Sequence, residues 1–236
     1  MRDSVDPRIF EQFPGFRRAV VVARNINNQG EHPELLALLR GAEEKTRGDE
    51  FADYLDHPRL KIWSETFRAL NINPKKHLPS VINMIKRVRG GKNLPYVNTL
   101  VAIFNYISLD QLISCGGDDL AVVKGDLRLT LAAGDENYTP LGQPGTREHP
   151  QPREVIYLDT ASREVFCRAW CWKNGDVSKL EPTTTDAAIN IDVMQPALTR
   201  ADMEEAAEKT AALLRRFAGA ETAVHFLSPE RPEFEF

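Results

Sequence analysis

The stretch from Pro74 to Lys92 holds Lys75, Lys76, Lys86, Arg87, Arg89 and Lys92 without a single acid, in a chain whose net charge is −4. A basic face on an acidic protein invites a polyanion, because each cation set against a phosphate releases condensed counterions and gains affinity without reading bases. The same residues suit a plainer role: cations in the last turn of a helix complement its dipole and keep the surface soluble. Charge pattern alone leaves both readings open. Cys167 and Cys171 are spaced to share one face of a strand beside Val165 and Ala169, and read as core cysteines. No Cys-x-x-Cys pair or nearby histidine completes a zinc set, so no metal is expected. His32, His57, His77, His149 and His225 are dispersed, none beside a Ser or Cys nucleophile motif, which gives a hydrolytic triad no support. Gly90-Gly91 and Gly116-Gly117 lack the Lys-Ser/Thr or third glycine of a phosphate-cradling loop. Nucleotide binding is disfavoured and no cofactor is implied. Trp170 and Trp172 could wall a ring-shaped ligand, but packing the sheet against a helix is the preferred reading.

Periodicity supplies the elements that position these groups. Arg17 to Ala23 is a β-branched apolar run that predicts a buried strand, and Glu34 to Lys45 carries Leu35, Leu38, Leu39 and Ala42 at helical spacing. A second helix is expected over Pro58 to Leu70, and a third over Val81 to Arg89 with Ser80 as N-cap and Gly90-Gly91 at its end. Pro95 is expected to open a nearly all-apolar helix at the centre of the fold. Beyond Asp118 the period shortens to that of a strand: Leu127, Leu129 and Leu131 alternate with Arg128 and Thr130, Val165 to Trp172 predicts another strand, and Ala188 to Val193 a last one. Gly134 to Pro152 reads as an exposed loop, and Thr199 to Asp202 as a capping box that opens a long amphipathic helix.

The 236 residues, 42% hydrophobic and 27% charged, are those of an ordinary globular protein with an added terminal layer. Arg2, Asp3, Asp6, Arg8 and Glu11 leave no signal-peptide apolar region at the start, and no run of about 18 apolar residues predicts a membrane span. With Cys115 the cysteines make an odd, thin set, which points to a reducing cytoplasm rather than a disulfide framework. The expected fold class is α/β of the α+β type, a mixed sheet layered with helices. Residues 1–57 are expected to form an N-terminal strand and helical extension packed on the core, residues 58–219 the main domain with its C-terminal helix, and residues 220–236 a loosely held tail.

The segment Val97-Asn98-Thr99-Leu100-Val101-Ala102-Ile103-Phe104-Asn105-Tyr106-Ile107-Ser108-Leu109 resembles the B3/B4 editing domain of the phenylalanyl-tRNA synthetase β subunit, in which an apolar helix carries Thr-Asn-Tyr. Asn105 and Tyr106 match its last two positions. The preceding basic helix, Gly116-Gly117-Asp118-Asp119 and the strand Asp126 to Leu129 are similar to free-standing members of that family, over about Pro58 to Asp192. Gly175-Asp176-Val177-Ser178 and Thr184 can be laid over the family's Gly-Glu-x-Ser and downstream Thr.

The resemblance implies a protein that acts on tRNA and hydrolyses a misattached amino acid from its 3′ end. It implies that Asn105 lines the aminoacyl pocket, that Asp176 stands where the family's glutamate reads a tyrosine hydroxyl, and that Ser178 and Thr184 support it. Phe104 stands where the family has Thr, and Gly116 where the synthetase carries a histidine, so specificity for tyrosine does not transfer with the fold. The chain lacks the synthetase's catalytic modules, and charging of tRNA is not expected. Two other readings share the fold: a non-catalytic RNA-binding module using the Lys75 to Lys92 face, marked by a pocket filled with its own side chains, and a small-molecule binding protein, marked by a deep cavity without an adjoining basic surface.

Overall fold

A computed structural model describes residues 1–73 and 77–236, so Lys75 and Lys76 lie outside the described residues. The chain runs β1 (Arg2–Val5), α1 (Pro7–Gln12), β2 (Phe16–Arg24), α2 (Pro33–Arg47), α3 (Pro58–Ala69), α4 (Ser80–Arg89), α5 (Thr99–Gln111), β3 (Ser114–Asp119), β4 (Leu127–Leu131), β5 (Val155–Asp159), β6 (Val165–Arg168), β7 (Lys173–Asn174), β8 (Ala187–Met194), α6 (Arg200–Ala218), β9 (Glu221–Leu227) and β10 (Glu233–Glu235). The fold is α+β as expected, with its strands divided between two sheets. One is mixed, in the order β10-β1-β4-β5-β6-β7, with β1 parallel to β4; the other is antiparallel, in the order β3-β8-β2-β9.

Side-chain alternation along the four-stranded sheet divides the interior into two layers. Odd-numbered residues of β2 and β8, among them Ala19, Val21, Ile189, Ile191 and Val193, meet α2, α4, α5 and α6 in one apolar core. Even-numbered Phe16, Val20, Val22, Ala188 and Met194 meet the other sheet in a second core, with Trp63 and Phe67 of α3. β2 is buried on both faces, which explains its continuous apolar run. Arg18 interrupts that run on the even-numbered face.

Local signals and structure part at four places. Ser80 is the first residue of α4 rather than its cap: Pro79 precedes it without a side-chain capping bond, and the Ser80 N–H donates to the Cys171 carbonyl at 2.8 Å. α5 starts at Thr99, because Asn98 caps it by accepting from the Val101 N–H at 3.0 Å; Pro95 lies in the segment before it. The predicted strand Val165 to Trp172 ends at Arg168, since Ala169 and Trp170 turn to positive φ (45° and 66°). Cys171 therefore leaves the strand it was expected to share with Cys167. Trp170 packs edge-on against Phe16, Phe13 and Trp63, the preferred role.

The tail is not loosely held. Gly219 ends α6 in the left-handed region (φ 62°), a conformation that favours glycine, and the chain returns as β9 along β2 from Arg24 to Arg18. β10 then pairs with β1. The N-terminal extension is also woven in: β2 lies between β8 and β9, and β1 between β10 and β4. Among the described residues no helix is long and apolar enough to cross a membrane.

Candidate functional site

β3 lies at the edge of its sheet, and beside that edge opens a cavity of about 330 Å³. Its volume falls in the range of small-ligand sites. Its walls are apolar: Met84 of α4, Val97, Val101 and Phe104 at α5, and Leu141 and Leu180 from two loops. The mouth stays apolar too, with Val97 59% and Leu141 49% exposed, far more than isolated core-forming residues need. Its polar lining comes from Asn105, Asn174, Ser178, Lys179, Asp118 and the backbone of Gly116 and Gly117; Ser178 and Asp118 are buried, Asn105 is half-buried and Asn174 is exposed.

Each wall is held by bonds that the local sequence supplies. The Asn98 amide donates to the Leu180 carbonyl at 2.9 Å while its oxygen caps α5. Asn28 does the same from the N-terminal region, accepting from the Leu100 N–H and donating to the Glu181 carbonyl. Buried Glu43 of α2 accepts from the Leu94 N–H at 2.7 Å and so fixes the segment that carries Val97. Along β3, the Leu120 N–H bonds to Asp186 next to β8, and the Asp119 N–H to Ser178 on the open side. Antiparallel alternation then turns the N–H of Gly117 to the open side as well, toward the cavity.

The structure brings together Asn105, Gly116 and Ser178. Asn105 faces the cavity from α5, and among the described residues its side-chain amide has no hydrogen-bond partner. A Cβ built on Gly116 meets nothing within 4 Å, so the space beside it is open. The same construction on Gly117 comes 3.0 Å from the Phe104 ring, which shows that the large residue at 104 fits because 117 has no side chain. Ser178 donates to Asp118 Oδ1 at 2.6 Å, both side chains being buried.

Asp176 and Thr184 do not line the cavity. The Asp176 carboxylate accepts from the Gly142 N–H at 2.9 Å and pairs with Lys179, and these bonds hold it below the usual carboxylate range. It thereby sets the turn that carries Leu141, but leaves no carboxylate of its own in the cavity to read a phenol. Thr184 donates to Asp119 Oδ2 at 2.6 Å, bracing the end of β3. Sequence reasoning assigned no role to Asp118, Asn174 or Arg18. A charged residue inside the apolar run of β2 was the available signal for the last.

The basic stretch is divided. Arg89 turns back to cap α2, donating to the carbonyls of Thr46 and Gly48 at 3.2 and 2.9 Å. Arg87 donates to the Asn93 carbonyl but stays exposed, as do Lys86 and Lys92. Ser80 and Met84 of α4 line the cavity, and Lys86 and Arg87 follow Met84 within one turn of the same helix, while Lys92 lies beyond its end. Among the described residues no group of three His, Cys, Asp or Glu is placed to hold a metal ion.

Among solved structures, the chain is similar to an N-terminal fragment of the phenylalanyl-tRNA synthetase β subunit from Pyrococcus horikoshii, at 11% identity and a TM-score of 0.47. The match covers 93% of this chain and 49% of that fragment, so the chain spans about half the fragment's length. No curated protein matches it. The B3/4 domain model matches residues 62–222, a span that includes α4, α5, β3 and the cavity between them, and the chain belongs to the B3/4 domain family.

Proposed function

We propose that the protein is a free-standing deacylase that hydrolyses a misattached amino acid from the 3′ end of tRNA. The observation that carries this reading is the convergence of Asn105, Gly116 and Ser178 on one open cavity whose lining combines apolar walls with a few polar groups. An aminoacyl ester has the matching layout, a side chain to bury and a carbonyl with polar neighbours to hydrogen-bond. The unpartnered amide of Asn105 can donate to the ester carbonyl or accept from the α-ammonium group. The Gly117 N–H, directed to the same space, is a donor for the oxyanion that forms on attack. Lys86, Arg87 and Lys92 on the adjoining surface supply cations for the RNA backbone.

With Asp176 engaged outside the cavity, the walls favour a side chain that carries no hydroxyl at its end. A pocket filled by its own side chains would have favoured the binding-module reading, and this cavity is open. The test is single-turnover release of amino acids from a panel of mischarged tRNAs, with Asn105→Ala as the control. Rapid release of one apolar amino acid, slowed in the variant, is the expected result. A protein that binds tRNA and releases nothing from any member is not a deacylase.

A further inference from the structure

Behind the cavity, between the two sheets, lies a second chamber of about 80 Å³ that shares Gly116, Gly117 and Asp118 with it. Even-numbered residues of β2, β3 and β8 line one side of it: Arg18, Ser114, Asp118, Asn190 and Asp192. Arg18 and Asp192 are opposite each other in register, and the guanidinium forms two bonds with the carboxylate, Nε to Oδ1 at 2.6 Å and Nη2 to Oδ2 at 2.8 Å. Arg18 is only 2% exposed, yet among the described residues its Nη1 has no hydrogen-bond partner, and the shielded Oδ1 of Asn190 has none either. Buried polar atoms of this kind are satisfied by ordered water, and one molecule needs only about 10–15 Å³ of such space.

We infer that Asp118 is the catalytic base of the hydrolysis: it takes a proton from a water molecule held by Arg18 and Asn190 in the inner chamber, on the side where Asp118 joins it to the cavity. This inference rests on the deacylase reading. The water oxygen forms a bond to the ester carbonyl carbon as its proton passes to the Asp118 carboxylate. The tetrahedral intermediate then collapses, the bond from carbon to ribose oxygen breaks, and the proton on Asp118 passes to that oxygen. The products are the amino acid, which loses its carboxylic proton to solvent, and a tRNA with a free ribose hydroxyl.

Of the three acids in this region only Asp118 lines both spaces. Asp192 is occupied by Arg18 and by the Trp170 indole N–H at 3.2 Å, and Asp3 accepts from the Tyr157 hydroxyl at 2.7 Å. Burial pushes the Asp118 carboxyl up to about 7, against the hydrogen bond from Ser178 and the positive charge of Arg18. A base of that strength is half ionised near neutral pH, where general-base catalysis works best. Asp3 from β1 and Asp119 from β3 oppose its ionisation. Tyr157 from β5 and Cys167 from β6 also feel its charge, and burial keeps both neutral. Lys179 faces the cavity from the loop before β8. Ser178 is a positioning residue, since its hydroxyl stabilises the anionic form of Asp118 and fixes its orientation.

The test is the pH profile of single-turnover deacylation for wild type, Asp118→Asn and Ser178→Ala, with tRNA binding measured alongside. The wild-type rate should rise through a limb near pH 7 and then level. Asp118→Asn should lose roughly 100- to 10,000-fold with binding unchanged, and its limb should vanish. Ser178→Ala should be slower at neutral pH, with the limb moved to higher pH and the rate recovering there, a displacement that loss of packing alone would not produce. A wild-type profile without a limb near neutral pH overturns the inference without any substitution. An Asp118→Asn protein within a few-fold of wild type overturns it while leaving the deacylase reading intact; no release by wild type from any mischarged tRNA removes both.

Discussion

Replacing Arg18 by methionine removes the cation that faces three buried carboxylates, Asp192 by direct bonds and Asp3 and Asp118 through space. Both members of the direct pair are nearly inaccessible to water, at 2% and 5% side-chain exposure. Breaking such a pair by removing one partner costs about 3–5 kcal/mol, because the remaining charge stays buried without compensation. For a chain of this size that is a fall in melting temperature of roughly 10 °C. The cost should depend on pH with a defined sign. Burial raises Asp3 to about 6 and Asp118 to about 7, and Arg18 lowers both, so its loss sends them higher still. A carboxyl raised on folding contributes fully below its unfolded value near 4 and loses that contribution as pH climbs toward the raised value. The gap between wild type and Arg18→Met should therefore widen from about pH 5 to about pH 8. Urea melts at both pH values measure it, and Arg18→Met with Asp192→Asn should recover part of the loss at pH 8. A penalty below about 1 kcal/mol, or one equal at both pH values, would refute the reasoning.

Gly117→Ala sets a Cβ 3.0 Å from the Phe104 ring and 3.1 Å from the Ala188 carbonyl oxygen, and should destabilise by about 1–3 kcal/mol in thermal melts, with part regained in Phe104→Leu. Deleting residues 220–236 strips β9 from β2 and β10 from β1, and should abolish the cooperative melt rather than trim a frayed end. Arg89→Ala should cost about 1–3 kcal/mol through the carbonyls it leaves at the end of α2. Lys86→Glu with Lys92→Glu should leave stability within about 0.5 kcal/mol, yet weaken tRNA binding and flatten its salt dependence; unchanged binding would take that surface out of the account.

How much of this was legible in the sequence differs element by element. β2, α2, α3 and α6 carry strong local signals, a β-branched run or a helical stripe opened by a proline or a capping box, and they form where those signals place them. β1 and β10 are short, and their pairings join residues more than a hundred positions apart, which no local period encodes. The tail misled for the same reason: its acids and prolines suggest fraying, while its stability comes from β2 and β1. At the site, Asn105, Gly116 and Ser178 were named through the resemblance, and they meet. Asp176 was named by the same route and faces away, because which way a loop carboxylate turns depends on a partner such as the Gly142 N–H from a distant turn. Asp118 was visible only as one of a pair of acids after two glycines; its importance depends on Arg18 and Asn190 standing behind it.

The central claim is that the cavity beside β3 receives the aminoacyl end of tRNA, and Gly116→Phe tests it most directly. A Cβ at this position meets no atom within 4 Å, and a ring beyond it enters the space that Gly116 shares between the cavity and the chamber behind it, so a thermal melt that shows a folded variant precedes the assay. The account predicts a protein that still binds tRNA but releases no amino acid from the mischarged species that wild type deacylates. Release at the wild-type rate from a stably folded Gly116→Phe protein would contradict it.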